Sequence, residues 1–356
     1  MMKRGRSIRT LDAVALGLLL LTGAVFLLGL QHQENPKGDS VRFLGLADSL
    51  RETGRYEFNT RPQTRFPPGF PALLAVERAA LGDGRSAAMV CNVLHTVLAF
   101  ALGYWLLRSV GHPVLGLLFI AFSATSPYVF SHTTQAVSSD SSYMVASFAA
   151  LLLAMRLLHS SSAKSRCGIA LALAVCVPLA ISVRSVGLAL WGALATALIA
   201  PSRRRVGQSI WFAPALLSGA IFQITWTLWQ RRHRSTLWPG EFMNSYGSQI
   251  RLIDPHHPEL GIAGGGDWVV RIFDNLAAQA RAFTELVTHL PWIDDRWFSP
   301  LIVVPCVLGA VGLWHRSQRG LPLLEAYLLG YLGIILLWPF DEGARYMIAV
   351  FTIALL

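Results

Sequence analysis

The feature that most constrains this chain is a series of long apolar blocks that carry almost no charge. The first block, residues 11–30, reads LDAVALGLLLLTGAVFLLGL and has one charged residue, at its edge. An α-helix needs about 20 apolar residues to cross the hydrocarbon core of a bilayer. Charged residues make up 14% of the chain, against about 25% in soluble domains, which is too few to cover a water-facing surface. The pattern predicts an all-α polytopic membrane protein and excludes a soluble globular fold.

The first block follows a basic start that contains Lys3, Arg4, Arg6 and Arg9, as secretory signal peptides also do. Its apolar run is longer than the roughly 7–15 residues of a signal-peptide core, and no small-residue cleavage site follows it. We therefore expect a retained transmembrane helix.

Ten apolar segments are predicted. They are 12–30, 88–107, 113–131, 141–158, 168–183, 186–200, 209–229, 299–315, 321–339 and 345–356. The fifth and sixth are short and are interpreted as two helices that meet near Arg184. Basic residues flank 168–200 on both sides, so the positive-inside rule requires an even number of crossings between them. A single span would also leave Arg184 in lipid, at a cost of about 3 kcal/mol or more.

Basic residues also predict which segments face the cytoplasm. The N-terminus and four short loops carry Arg, Lys or His and are placed inside; the loops are 108–112, 159–167, 201–208 and 316–320. The long segments 31–87 and 230–298 are then outer loops. Arg231, Arg232 and Arg234 conflict with the rule, because they follow the seventh helix on the outer side.

Each long outer loop is predicted to carry a helix that lies at the membrane interface, because its apolar residues recur at helical spacing. The apolar face of the first is Val41, Leu44, Ala47 and Leu50. That of the second is Val269, Ile272, Leu276, Ala280 and Phe283.

The predicted orientation brings ionisable residues from distant parts of the chain to the outer ends of helices. They are Asp39, Asp140, Arg184, Asp341, Glu342 and Arg345. Any one of them has a simple alternative role as an anchor of a helix end. Their shared face predicts a site on the non-cytoplasmic side of the membrane.

The acidic candidates suit proton transfer and binding. Asp39, in NPKGDSVRF, is a candidate general base toward a hydroxyl or an amine, or alternatively the N-cap of the next helix. Asp140, in SHTTQAVSSDSSYM, is a candidate for binding a substrate hydroxyl or a cation, or alternatively a helix cap. A divalent cation shared by Asp39 and Asp140 stays open, and no cofactor is otherwise indicated.

The basic candidates suit a phosphate. Arg184, in ISVRSVGLAL, needs an anionic partner at a helix end, which is a carboxylate, a lipid head group or a phosphate. Arg345, in DEGARYM, repeats the situation, and two such arginines suit a phosphate-bearing lipid. The alternative for Arg345 is an ion pair with Asp341 or Glu342. Glu342 is also kept among the candidate substrate-binding residues.

Other chemistries are disfavoured. The cysteines have no metal-type spacing and are interpreted as buried packing residues; they are Cys91, Cys167, Cys176 and Cys306. His256 and His257 are adjacent, so they point apart, and an exposed loop is favoured over a metal site with Asp254. GIAGGGDW follows no predicted strand, which disfavours a nucleotide loop. The net charge of +10 lies beside apolar blocks, which is typical of membrane orientation and not of nucleic-acid binding.

Several motifs occur in an order that resembles a known family. After the first helix come GDSVRFLGLADSLRETGRY and RFPPGFPALLA, then SSDSSYM, RSVGLAL, DPHHPELGIAGGGDWVVRIFDN and EGARYM. In this order they resemble the GT-C glycosyltransferases, in the branch of protein O-mannosyltransferases and lipid A aminoarabinose transferases.

The resemblance implies a GT-C-like bundle of about ten transmembrane helices, forming a single domain over 1–356 with two long outer loops. Family members usually have more helices, and the last segment has only about 12 apolar residues, too few to span. We therefore expect a C-terminally truncated chain. In the family, Asp39 matches the first-loop aspartate assigned as catalytic base or acceptor-orienting residue. Arg184 and Arg345 would engage the lipid phosphate, and Glu52 or Glu57 would supply a second acidic residue.

The predicted function is transfer of a hexosyl or pentosyl group from a polyprenyl-phosphate-sugar donor to a glycan, lipid or protein acceptor. It would take place at the non-cytoplasmic face of the plasma (inner) membrane of the cell envelope. Asp39 would accept a proton from the acceptor while the phosphate leaves, stabilised by arginine charge. The alternatives are a transporter or flippase of lipid-linked sugars and an inactive GT-C-like scaffold.

Overall fold

A computed structural model describes most of the chain. It covers residues 2–30, 38–82, 84–199, 206–233, 245–288 and 323–340, with residues 343, 345, 347 and 352. The predicted segment 299–315 and nearly all of 345–356 lie outside these residues, as do Cys306, Asp341 and Glu342.

The described part is almost entirely helical. Its first helices are α1 (Met2–Leu28), α2 (Asp39–Thr53), α3 (Gly69–Leu81), α4 (Arg85–Ser109), α5 (Pro113–Thr125), α6 (Pro127–Gln135) and α7 (Ser139–His159). They are followed by α8 (Ala163–Val183), α9 (Leu188–Ile199), α10 (Val206–Ser209), α11 (Ala213–Arg232), α12 (Tyr246–Arg251), α13 (Gly265–Thr288) and α14 (Leu323–Leu336). Short 3₁₀ turns are Ser185–Gly187, Ile210–Phe212 and Pro258–Leu260. One antiparallel hairpin joins β1 (Glu57–Phe58) and β2 (Arg61–Pro62).

Five helices in the described ranges are long and apolar enough to cross a membrane. They are Arg9–Leu28, Arg85–Ser109, Ser139–His159, Ala163–Val183 and Ile210–Arg232. A bent pair, α5 and α6, would make a sixth, and the apolar helices Ser185–Ile199 and Leu323–Leu336 are shorter. The prediction of a helical membrane protein is confirmed at this level. The count of ten helices depends in part on residues outside the described ranges.

The third predicted segment, 113–131, is not one straight helix. The chain bends by 63° between α5 and α6. Pro127 has no backbone N–H and disfavours a helical residue before it, so Ser126 is extended, with φ −68° and ψ 118°. The Ser126 side chain then caps α6 by accepting a hydrogen bond from the Val129 N–H.

The structure breaks the chain at Arg184, where two helices were predicted to meet. α8 ends at Val183, Arg184 is extended with φ −148° and ψ 135°, and a 3₁₀ turn leads into α9. Gly187 permits the turn because a Cβ there would lie 2.7 Å from the backbone of Ala180. The break places the Arg184 side chain at a helix junction instead of within a span.

The bundle is built around α7, which packs against both α4 and α8. α8 also packs against α11, and α9 packs against α14. Large side chains in the interior, such as Phe100, Phe119 and Phe148, are completely buried. Leu20, Leu171 and other large apolar residues are exposed on the outside of the spans, as expected for surfaces that face lipid.

Both long segments that were predicted as outer loops contain the predicted helices. α2 packs against α3, with Phe43 edge-on to Phe66 and Phe70 at 5.1 and 4.9 Å between ring centroids. α13 leaves an apolar face exposed that includes Val269 and Phe273. Their location at the membrane interface stays a prediction.

The cysteine prediction is partly wrong. Cys91 is buried and Cys176 is half-buried, but Cys167 is exposed, one turn after the start of α8. An apolar neighbourhood in sequence did not bury it, because it lies at the end of the helix and outside the packed part of the bundle.

Candidate functional site

A cavity of ≈ 830 Å³ lies where several helix ends meet. Its wall is formed by the start of α2, the loop before α3, the α8–α9 junction and the last turns of α11. α12, the first residues of α13 and the end of α14 complete it, together with Arg345. The elements come from nearly the whole length of the chain.

The structure brings four of the five predicted site residues together. Asp39, Arg184 and Arg345 line the cavity, and Asp140 lies behind the two arginines. Arg184 Nη1 pairs with Asp140 Oδ1, and Arg345 Nε donates to Asp140 Oδ2 at 2.7 Å. Arg345 Nη1 lies 3.6 Å from Asp39 Oδ2, so one guanidinium joins the two carboxylates. Glu342 lies outside the described residues.

Asp140 is the hub of this cluster and is only 5% exposed. Besides the two arginines, its carboxylate accepts hydrogen bonds from the Ser138 hydroxyl and from His132 Nε2, the latter at 3.0 Å. The cap of α7 is Ser138, whose hydroxyl accepts from the Asp140 N–H at 3.2 Å. Asp140 therefore lies in the first helical turn, and it contacts the arginines instead of lining the cavity.

A hydroxyl joins the two carboxylate-bearing helix ends. Ser40 Oγ donates to the Val137 carbonyl at 3.2 Å and accepts from the Val137 N–H at 3.1 Å. This buried link attaches the start of α2 to the segment just before α7. It holds Asp39 close to the first turn that carries Asp140.

The RFPPGF motif lies beside the α8–α9 junction. The Tyr56 hydroxyl donates to the Phe66 carbonyl at 2.8 Å, which fixes the loop before α3. Gly69 touches α8, since a Cβ there would lie 2.6 Å from the Ser182 carbonyl carbon. The loop therefore contacts α8 at Ser182, two residues before Arg184 in the chain, and Arg65 of this loop lies in the cavity wall.

The cavity is strongly basic. Among the described residues, five arginines line it, against one carboxylate, that of Asp39; they are Arg65, Arg184, Arg231, Arg251 and Arg345. Ser185 and Val186 of the 3₁₀ turn and Leu188, the first residue of α9, also line it, and the positive end of a helix dipole favours an anion. Apolar groups complete the lining, among them Trp226, Trp268 and Trp338. This arrangement suits an anionic head group attached to an apolar chain.

Sequence reasoning missed several lining residues, but two had signals. Arg231 was an exception to the positive-inside rule, and in the structure it lines the cavity. Arg65 opens the RFPPGF motif, which the sequence analysis used only as part of the family-like order of motifs. Tyr246, Arg251 and Trp338 had no sequence signal, since nothing local marks them.

Tyr246 stays a neutral hydroxyl in this basic setting. Burial raises the pKa of Tyr246 to about 12, although the nearby Arg65 charge acts in the opposite direction. The arginine charges are therefore not neutralised by a tyrosinate near neutral pH.

The two carboxylates considered for a divalent cation hold a guanidinium. Arg345 contacts both Asp39 and Asp140. Within the described ranges, no group of three or more His, Cys, Asp and Glu side chains could hold a metal ion. His257 pairs with Glu259 at 3.0 Å on the surface, as expected for an exposed loop.

The fold and the cavity define a helical integral membrane protein with a basic cavity among its helix ends. No family model and no curated protein sequence matches the chain. Among solved structures it is similar to ArnT from Cupriavidus metallidurans in the apo state. The two chains are 13% identical with a TM-score of 0.47, over 100% of this chain and 78% of that chain. A similarity this low assigns no function.

Proposed function

We propose that this protein is a membrane glycosyltransferase. It moves a sugar from a polyprenyl-phosphate donor to a lipid, glycan or protein acceptor on the non-cytoplasmic face. The observation that carries the proposal is the convergence of Asp39, Arg184 and Arg345 on one basic cavity with apolar walls. The order of motifs that resembles the GT-C enzymes supports the same reaction.

The donor phosphate binds Arg184 and Arg345. A planar guanidinium donates two parallel hydrogen bonds to an oxyanion, and a buried pair of such groups gives both affinity and orientation. The Asp140 carboxylate keeps the two guanidinium groups in place. The charge that develops on the phosphate as the sugar leaves is stabilised by the same groups.

Asp39 acts as the general base. Its side chain is 35% exposed and faces the cavity. Its carboxylate takes the proton of the acceptor hydroxyl or amine while the acceptor atom forms a bond to the anomeric carbon. The bond from that carbon to the phosphate oxygen breaks, and its electron pair leaves with the lipid phosphate. When the donor binds, Arg345 exchanges its 3.6 Å contact with Asp39 for the phosphate, which frees the base.

The test is transfer from a labelled polyprenyl-phosphate sugar by purified protein. Asp39→Asn should lower kcat at least about 100-fold, as expected for loss of a general base, without weakening donor binding. Asp274→Asn is the matched control, because Asp274 is an exposed aspartate of α13 that does not line the cavity. Transfer that survives Asp39→Asn would remove this residue from the mechanism.

A carrier of lipid-linked sugars is the second candidate. It is favoured by the break between α8 and α9, because carriers bind substrates at interrupted helices. In reconstituted vesicles, a carrier would move the labelled lipid from one leaflet of the membrane to the other, with the sugar still attached to the lipid. A transferase would release the lipid phosphate, and analysis of the extracted lipid separates the two outcomes.

A further inference from the structure

The cavity contains a second cluster, which the proposed reaction does not use. It consists of Arg65, Tyr246 and Trp338, all in the cavity wall. The Arg65 guanidinium carbon lies 5.8 Å from the centre of the Tyr246 ring. Trp338 meets the same ring edge-on, with 5.1 Å between the ring centroids. Residues from two other elements are thus packed around one tyrosine.

Two donors in this cluster have no acceptor in the described structure. Arg65 Nε and Trp338 Nε1 are buried atoms without a hydrogen-bond partner, and Trp338 is only 9% exposed. Buried donors in folded proteins are nearly always satisfied, so two orphaned ones beside a cavity point to a ligand. Both groups can only donate, so the ligand must supply acceptor oxygens.

The charge of the cavity indicates that the acceptor oxygens of this ligand are anionic. Arg184 and Arg345 are paired with Asp140. Arg65, Arg231 and Arg251 line the same cavity, and within the described ranges they form no ion pair. A lipid phosphodiester carries a single negative charge, so together with Asp39 and Asp140 it leaves the arginines of the cavity with an excess of positive charge. A neutral or cationic group there would leave the charge unbalanced.

We propose that Arg65, Tyr246 and Trp338 form a second oxyanion subsite, which takes a carboxylate or phosphate of the substrate besides the lipid phosphate. Arg65 supplies the charge, the Trp338 indole supplies a neutral donor, and Tyr246 holds both in place. The subsite rests on the proposed function only in placing the lipid phosphate at Arg184 and Arg345. The second oxyanion belongs either to the transferred sugar or to the acceptor.

The test is calorimetric binding to the full chain in nanodiscs. One arm compares short-chain prenyl-phosphate glucose with prenyl-phosphate glucuronate. The two differ only at C6 of the sugar, where the glucuronate has a carboxylate in place of a hydroxymethyl group. The other arm titrates inorganic phosphate into protein saturated with prenyl phosphate. A donor-borne oxyanion predicts at least about tenfold tighter binding of the glucuronate, and an acceptor-borne one predicts binding of inorganic phosphate.

Arg65→Gln should abolish whichever signal the wild type gives, and Trp338→Phe should weaken it while keeping an aromatic ring. Arg42→Gln is the matched control, because Arg42 also lies over Phe66, at 5.9 Å, but does not line the cavity. Arg184→Gln should weaken the binding of plain prenyl phosphate, whereas Arg65→Gln should leave that binding unchanged.

Two results would overturn the subsite. One is a wild type that shows neither signal. The other is an Arg65→Gln variant whose affinity for plain prenyl phosphate falls as much as its affinity for prenyl-phosphate glucuronate or inorganic phosphate. Failure of the proposed function is separate. Binding can follow these expectations while no sugar is transferred, and an Arg184→Gln variant with normal prenyl-phosphate affinity would refute the placement of the lipid phosphate.

Discussion

Asp140 is the shared partner of most ion pairs and hydrogen bonds in the site. Its carboxylate receives donors from α6, from the cap of α7, from the α8–α9 junction and from Arg345. A buried charge is tolerated only when it is paired and hydrogen-bonded, and here the pairing is extensive. The same contacts keep two arginine side chains, which have many rotamers, in fixed positions at the cavity wall.

Asp140→Ala should destabilise the protein by about 3–5 kcal/mol, because it leaves two largely buried guanidinium groups without their counter-charge. Asp140→Asn should have a smaller effect, since the amide keeps hydrogen-bonding capacity. Thermal unfolding in detergent measures both. Asp274→Asn, at an exposed position of α13, serves as the control. An unchanged melting temperature for Asp140→Ala would mean that the hub contributes nothing to stability.

At the scale of elements, α3 connects the Asp39-bearing helix to the bundle. Arg78 pairs with Asp48 of α2 at 2.6 Å, and Glu77 contacts His95 Nε2 of α4 at 2.9 Å. His95 Nδ1 in turn shares a hydrogen bond of 2.9 Å with Ser142 of α7. Ionisable groups inside a membrane domain are costly and need partners. This chain of contacts couples α2 and α3 to α4 and α7.

A double-mutant cycle tests this coupling. Glu77→Ala and His95→Ala should each destabilise the protein, but the double variant should be more stable than the sum of the two predicts. The expected interaction energy is about 0.5–3 kcal/mol. His112→Ala is the control, because His112 is exposed in the turn between α4 and α5. Strictly additive effects would show that Glu77 and His95 act independently.

At the scale of the whole molecule, arginines from several elements are gathered at one cavity. Asp39, Arg184 and Arg345 come from distant parts of the chain, yet all three line it. The orientation predicted from basic loops places this cavity on the non-cytoplasmic side. It also places residues 159–167 on the opposite side, and that loop ends with the exposed native thiol of Cys167.

Labelling of thiols in intact cells tests the orientation. Ser248→Cys, at the cavity wall in α12, should react with a membrane-impermeant maleimide added outside. The native Cys167 should react only after the membrane is permeabilised. The reverse pattern would invert the topology and would exclude transfer on the non-cytoplasmic face.

The break at Arg184 could be predicted from charge, since flanking basic residues require an even number of crossings. The bend at Pro127 was missed, although a proline inside an apolar run was visible. Asp39, Asp140, Arg184 and Arg345 were identified because ionisable residues stand out against apolar sequence. Their roles in catalysis and binding stay predictions.

The sequence by itself determined that this is a helical membrane protein, because span length depends on local composition and the thickness of the bilayer. It also determined which residues are costly to bury. Only the tertiary structure decided who pairs with whom. Arg345 and Asp140 are 205 residues apart, and the Arg65, Tyr246 and Trp338 cluster joins three elements. Such contacts depend on how helices pack, and no local pattern encodes the packing.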